Sequence, residues 1–425
     1  MTSEVPSAQA RRVSAAAAAI AATLCIGYVI SQFLRNSVGV IAPNLAAEMR
    51  LSAVQIGLLS SAYFFAFAAA QIPLGLAIDR FGPKRCMMVC TAVIVLGALL
   101  FANATSATGL IAGRILLGLG SSSFLMAPLS IYARWFPPKR FSTLAGLHVG
   151  IGSLGALLAT APLATAVAVF GWRTSFVGVA AITVLAAIVI ALVVRDAPPG
   201  APRLSRGETW RDSIMGAVEA IRLPAIRRLF VMNLAIHSSF VLLVGLWGGP
   251  YLTHIYGYDL QARGDFLFVP ALAQMVGAVA WGPMDRVFGG YKKPVLIGGG
   301  LSALALFVLA AAGTLPFWPL LFVFALLGFS TAVIPLILAH GKTMLPPHLL
   351  GRGMTILNMA AMGGVFLSQT ISGMVIELFP AQDGAYPLAA YRAVFALQAV
   401  FLVAVCAVYL GVREPGRSVA EIPHS

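Results

Sequence analysis

The stretch Gly75-Leu76-Ala77-Ile78-Asp79-Arg80-Phe81-Gly82-Pro83-Lys84-Arg85 lies between two long apolar runs, Ile56 to Leu76 before it and Cys86 to Ala104 after it. A short segment with an acid, several bases, glycines and a proline cannot cross hydrocarbon, where every backbone polar group must be satisfied internally. The chain therefore turns round here at a membrane face. The bases also say which face, because loops rich in Lys and Arg stay on the cytoplasmic side.

Working outward, the rest of the chain has the same character. It has 425 residues, of which 60% are hydrophobic and 10% charged, and this excludes an ordinary soluble protein. A formal net charge of +14 suggests nucleic acid at first, but the bases are scattered over short loops between apolar spans. That pattern is a topology signal rather than a phosphate-binding surface, so no nucleic-acid partner is expected. The cysteines Cys25, Cys86, Cys90 and Cys406 all fall in or beside apolar runs, which gives no disulfide framework. Arg11-Arg12 leads into an apolar run too long for a signal-peptide core, and no cleavage site is evident.

At ~20 apolar residues per span, twelve helices are expected, near 16–42, 54–78, 86–104, 109–133, 142–168, 174–195, 227–252, 263–284, 294–312, 317–341, 353–378 and 389–412. The polar stretch from Asp196 to Arg222 is the natural linker between two six-helix halves, 1–195 and 227–425, with 196–226 between them. Within it, Glu208 to Ile221 is expected to form an amphipathic helix at the membrane surface. This layout leaves only Arg50, Arg173, Arg263 and Arg392 on the outer side and puts every other loop base inside, so both termini are expected to be cytoplasmic.

A repeat supports the two halves. Trp281-Gly282-Pro283-Met284-Asp285-Arg286, with Gly289-Gly290-Tyr291-Lys292-Lys293 after it, echoes the opening stretch at an offset of 285 − 79 = 206. Pro128 with Phe136-Pro137-Pro138 is matched by Pro335 with Leu345-Pro346-Pro347 at nearly the same offset. Two like halves in parallel predict a transporter with its site between them near the middle of the membrane.

Gly75-x-x-x-Asp79-Arg80-x-Gly82-x-Lys84-Arg85 resembles the signature loop of the major facilitator superfamily, with Pro83 where many members carry a base. The resemblance implies that fold: an all-helical membrane protein of twelve transmembrane helices in two pseudo-symmetric halves. In the family the Asp pairs with a helix N-terminus and a basic neighbour to hold one conformation shut. It implies a gating role for Gly75, Asp79, Arg80, Gly82, Lys84 and Arg85, and for Asp285 and Arg286 in the second copy.

Charges inside the spans are few. No Asp or Glu occupies the middle of any expected helix, but Arg35 and Arg114 lie within spans. An Arg at a helix centre costs roughly 2.5–3.5 kcal/mol on insertion scales, so each needs a reason. Tyr28, Gln32 and Arg35 fall at helical spacing on one face, where a guanidinium offers paired donors to a carboxylate or phosphate. The bland alternative is an Arg snorkelling to the outer interface. Arg35-Asn36 with Pro43, then Gln55-x-Gly57 and Ser60-Ser61-Ala62-Tyr63, resembles the organic-anion and organophosphate branches of the superfamily. In those branches the first-span Arg contacts the anion. Arg114-x-x-x-Gly118-x-Gly120 resembles the family's fourth-span motif, whose Arg is linked to proton coupling; an interhelical anchor reads equally well. The anion–cation symporter branch has carboxylates where this chain has Leu34 and Ser121, which removes that route for a proton.

The remaining coupling candidates are histidines, His148 and above all His237, with His340 near the inner end of the tenth span. Asn233, His237, Trp247 and Tyr251 follow helical spacing on the seventh span and are expected to face the partner half. Gln274, Asn358 and Gln369 either line the cavity or bond across helices. Cys86-Met87-Met88-x-Cys90 has soft ligands but no second cluster, so no metal is expected and no cofactor either. No nucleophile–base set or phosphate loop is present, which argues against an enzyme. The expectation is a monomeric secondary transporter of the bacterial inner membrane that binds a small organic anion of the carboxylate type, with a proton or counter-anion as coupling partner and the lipid bilayer around it. An exporter of drugs or amphiphiles, and a non-transporting receptor on the same scaffold, are the rivals.

Overall fold

The structure, a computed structural model, describes residues 8–198, 210–382, 384–412 and 414. It is built from helices: α1 (Ala8–Asn36), α2 (Val38–Met49), α3 (Ala53–Phe81), α4 (Pro83–Ala102), α5 (Ala107–Ser121), α6 (Ser123–Trp135), α7 (Pro138–Leu158) and α8 (Ala161–Val193) in the first half. α9 (Trp210–Arg222) follows in the linker. The second half has α10 (Pro224–Leu242), α11 (Gly248–Tyr256), α12 (Leu260–Trp281), α13 (Met284–Val287), α14 (Lys292–Ala311), α15 (Phe317–Thr331), α16 (Ile334–Met344), α17 (Leu350–Glu377) and α18 (Leu388–Leu410).

Eleven helices among the described residues are long and apolar enough to cross a membrane. The twelfth crossing, the fifth in order, is made of two pieces. α7 stops at Leu158 because Pro162, in the first turn of α8, has no N–H with which to continue the ladder. The chain re-forms as α8 and turns at Gly171, whose φ of 77° and ψ of 158° suit a residue without Cβ, and the sixth crossing follows. The twelve expected spans are thus all present. The linker helix runs over Trp210–Arg222; Glu208, expected at its start, lies outside the described residues.

The face that carries the 79–85 turn, Asp196 and Glu414 is the basic face; the other is the far face. On the basic face Asp196 accepts from the Lys84 N–H at 2.7 Å, at the first turn of α4, and Glu414 accepts from the Lys292 N–H at 2.5 Å, at the first turn of α14. On the far face Arg173 donates to the Ala104 carbonyl at 3.2 Å, just past α4, and Arg392 to the Ala310 carbonyl at 2.6 Å, in the last turn of α14. The third crossing of each half therefore has an acid at its start and a cation at its end. That complements the helix dipole at both ends, and it does so twice. The expected repeat is visible here as chemistry.

Within the first half, close packing depends on small residues. A Cβ on Gly118 would stand 2.2 Å from the Tyr63 carbonyl oxygen, and one on Gly113 would stand 3.0 Å from Phe101. Between the halves, α3 and α17 run antiparallel in contact: Ser61 meets Thr370 (3.0 Å), Phe65 meets Phe366 (ring centroids 5.2 Å) and Gln71 meets Asn358 (3.4 Å). The other cross-half contacts gather at the far face, where Gly39 packs on Gly249 and Gly264 on Ala164.

Candidate substrate site

Arg35 stands in the last turn of α1, beside the break at Ser37 that separates α1 from α2. Local bonds occupy its neighbours: Asn36 donates to the Gln32 carbonyl at 2.9 Å and Ser37 to the Leu34 carbonyl at 3.1 Å. Arg35 itself is buried, 7% exposed, with its guanidinium 5.0 Å above the Phe67 ring. Its Nε has no hydrogen-bond partner among the described residues. Neither has Oε1 of Gln32, nor either ring nitrogen of His237, which comes from α10 in the other half. Arg35 lies within electrostatic reach of both Tyr28 and His237. No Asp or Glu among the described residues is buried. A buried cation is expensive unless it is paired, and here the groups nearest it are donors and neutral acceptors converging from two halves.

The other expected binding residues divide. Tyr28 is stacked on His148, with ring centroids 4.7 Å apart. Asn233 donates to the Leu357 carbonyl at 2.6 Å and keeps its own oxygen unpaired. Trp247 and Tyr251 are not brought to Arg35. The Trp247 indole donates to Ser372 at 2.7 Å, and Tyr251 packs among Tyr256, Phe324, Tyr391 and Phe395 inside the second half. The helical spacing that grouped them with Asn233 and His237 assumes an unbroken α-helix, but Leu243–Trp247 is a π-turn. A π-turn holds more residues per turn and rotates everything beyond it. Gln274 is half-buried on α12. Asn358 donates to Gln71 across the halves at 3.4 Å. Gln71 is 2% exposed and escaped the sequence reading, although a lone amide in an apolar span is the same signal that singled out Asn358.

Of the coupling candidates besides His237, His148 has a partner at each ring nitrogen, while Arg114 is bonded at Nε and Nη1 and its Nη2 has no partner among the described residues. Arg114 is fully buried; it donates to the Leu34 carbonyl at 2.6 Å and the Leu59 carbonyl at 3.3 Å, and its guanidinium lies 4.7 Å from the Tyr63 ring centroid. In this conformation it ties the first two crossings to the fourth. His148 has a local cause. Pro128 has no N–H to give to the Phe124 carbonyl one turn back, and Nε2 of His148 sits 2.9 Å from that oxygen. Its Nδ1 faces the Tyr132 hydroxyl at 3.1 Å. His340 pairs through Nδ1 with the Tyr409 hydroxyl at 2.7 Å.

Around the signature turn, Gly82 adopts φ 88°, and a Cβ there would meet the Asp196 carboxylate at 2.5 Å. The helix N-terminus beside the turn is thus held by Asp196, while Asp79 and Arg80 are exposed, Arg80 lying 5.4 Å over the Phe81 ring. The Lys84 ammonium donates to the Ala191 carbonyl at 2.7 Å, and Arg85 is exposed. Gly75 has open space at its Cβ position. The register of α3 on α17, carried to the end of α3, sets Asp79 level with the first turn of α17. The second copy, Asp285 and Arg286, lies on the one-turn helix α13. Nearby, α9 packs Gly216 against the Arg352 side chain, and His348 meets Glu219 at 3.5 Å.

Twelve crossings in two like halves, with a buried unpaired guanidinium between them, define a multi-pass membrane protein with a polar site at the half–half seam. The sequence matches the Major Facilitator Superfamily model over residues 24–262 and 229–423, and the chain belongs to that superfamily. It is similar to a probable sulfoacetate transporter of Cupriavidus necator, 27% identical over 281 residues that cover 63% of this chain and 65% of that one. It is also similar to a hexuronate transporter of Bacillus subtilis, 25% identical over 276 residues, 64% of each chain. The chain thus matches just under two thirds of the length of these relatives. Among solved structures, a bacterial homologue of the human lysosomal transporter Spinster, in an inward-facing, unoccupied conformation, superposes with a TM-score of 0.75. It is 17% identical, with 93% of this chain and 96% of that one covered, and this likeness concerns the fold.

Proposed function

We propose that the chain is a secondary transporter, not an enzyme, that moves a small organic anion across a bacterial inner membrane by alternating access. The observation that carries this reading is Arg35, a buried cation whose Nε has no partner, beside the unpaired nitrogens of His237 and the unpaired amide oxygen of Gln32. A carboxylate or sulfonate entering there would supply the missing charge and take the paired donors of the guanidinium. Neutral His237 can donate from one ring nitrogen and accept at the other, and Gln32 can accept from a hydroxyl. The ligand favoured is therefore an anionic head on a polar body. The relatives named for sulfoacetate and hexuronate transport agree with that chemistry.

Because Arg35 comes from the first crossing and His237 from the seventh, an anion held by both would bridge the halves. Filling the site would then favour the conformation in which the two halves close upon it. The positive-inside rule supports a cytoplasmic position for the basic face. In liposomes holding the purified protein, uptake or counterflow of hexuronate and sulfoacetate should be abolished in Arg35→Ala and in Arg35→Lys, since an ammonium lacks the planar pair of donors. Full activity in both variants refutes the anchor role.

A further inference from the structure

The first turn of any helix leaves its N–H groups without intrahelical partners, and at α3 the account can be completed. Gln55 N–H goes to the Ser52 hydroxyl (3.3 Å) and Ile56 N–H to the Ser52 carbonyl (3.0 Å), both within the same half. Ala53 N–H goes to the Tyr386 hydroxyl (3.1 Å) and Val54 N–H to the Glu377 carboxylate (3.2 Å), both from the other half. The Tyr386 hydroxyl also donates to that same carboxylate oxygen at 3.2 Å, so the acceptors form one unit. The Tyr386 backbone N–H is held in turn by Nδ1 of His254 at 3.3 Å, which also takes the Tyr391 hydroxyl at 2.6 Å. Glu377 is the last residue of α17, and Val54 is the second of α3.

We propose that Glu377 and Tyr386 form the far-face latch of the transport cycle, an acid and a hydroxyl of the second half closing on the N-terminus of α3. A carboxylate at a helix N-terminus gains both the N–H and the dipole. When the far ends of the halves separate, both bonds are lost while the two Ser52 bonds remain. The geometry has a counterpart at the other end of the same helix pair. The α3–α17 pairing that sets Glu377 against Val54 runs on to Gln71 and Asn358, and beyond these Asp79 stands in the last turn of α3. Each helix thus has an acid in its last turn, and the pair has one acid for each face. The proposal rests on the alternating-access reading, but its test needs no substrate, so it can fail while that reading stands.

The test is a distance measurement by double electron–electron resonance in lipid nanodiscs. Spin labels go on Asn103→Cys and Thr314→Cys, exposed far-face positions in opposite halves away from the latch. The background has Cys25, Cys86, Cys90 and Cys406 replaced. Glu377→Gln and Tyr386→Phe should each shift the population toward the longer, far-face-open distance. Both partners are partly in water, so the expected rise in the open-to-closed ratio is about three- to tenfold for each. Glu377→Asp keeps the charge but is too short, and should behave as Glu377→Gln does. Ser52→Ala removes a cap made within one half. It should lower the unfolding temperature and leave the distances where they are. Unchanged distances in Glu377→Gln and Tyr386→Phe, or an equal shift in Ser52→Ala, would overturn the latch, since the bonds would then be caps and nothing more.

Discussion

At the residue scale, the polar groups inside this protein fall into those whose partners the fold supplies and those it leaves open. His148 belongs to the first kind: a proline one helix away leaves a carbonyl free, and the imidazole fills it at 2.9 Å. His148→Leu should therefore destabilise by about 1–3 kcal/mol, the cost of a buried acceptor left unpaired. His148→Gln, which keeps a donor, should recover part of that loss. Thermal unfolding in detergent checks the order, and the pH profile of uptake should be the same in His148→Gln as in the parent. A changed profile would make His148 a proton carrier. Arg35 and His237 belong to the second kind. The sequence made both of them visible as polar residues in apolar spans, and it made His148 equally visible. What separates them is whether another helix presents a carbonyl, and that depends on contacts between residues far apart in the chain. Glu377 shows the same limit: its place at the end of the eleventh span can be read, but its partner Val54 is 323 residues away.

At the element scale, hydropathy and the loop bases give most crossings to within a few residues, because the spacing of apolar runs and the punctuation by Pro and Gly are local properties. The first crossing, expected to end at 42, runs on through α2 to Met49. The π-turn at Leu243–Trp247 is not local in that sense, and it is why Trp247 and Tyr251 stand in the second half's interior. The paired end caps of α4 and α14 also pass unseen, since Asp196 and Glu414 read as ordinary loop acids. Their removal has a defined expectation. Asp196→Asn and Glu414→Gln should each lower stability by about 0.5–1 kcal/mol, the usual worth of an N-terminal cap partly in water. The caps lie in different halves with no shared partner, so the losses should add in the double variant. Differential scanning fluorimetry of the singles and the double tests this; a double no worse than either single would mean that the two caps are not independent.

For the whole molecule, the glycines sort into those that build a half and those that let the halves meet. Gly118 lies against Tyr63 inside the first half, and a Cβ there would stand 2.2 Å from a backbone oxygen, which no conformational change relieves. Gly118→Ala should therefore fail to give stable protein in any state. Gly249 lies against Gly39 across the seam, where a Cβ would stand 2.0 Å from the Gly39 carbonyl oxygen, and parting the far ends removes the clash completely. Backbone cannot yield as a side-chain tip can, so closure is what Gly249→Val must forfeit. The variant should fold with each half intact and rest with its far face open. Gln32→Cys, placed at the site, provides the readout. In intact cells a membrane-impermeant maleimide should label Gln32→Cys at least several-fold faster when Gly249→Val is added, and Gly249→Val alone should lose uptake because the return step is blocked. Equal labelling rates in the two backgrounds would show that the seam glycines are packing alone, and that the far face does not open along the line they mark.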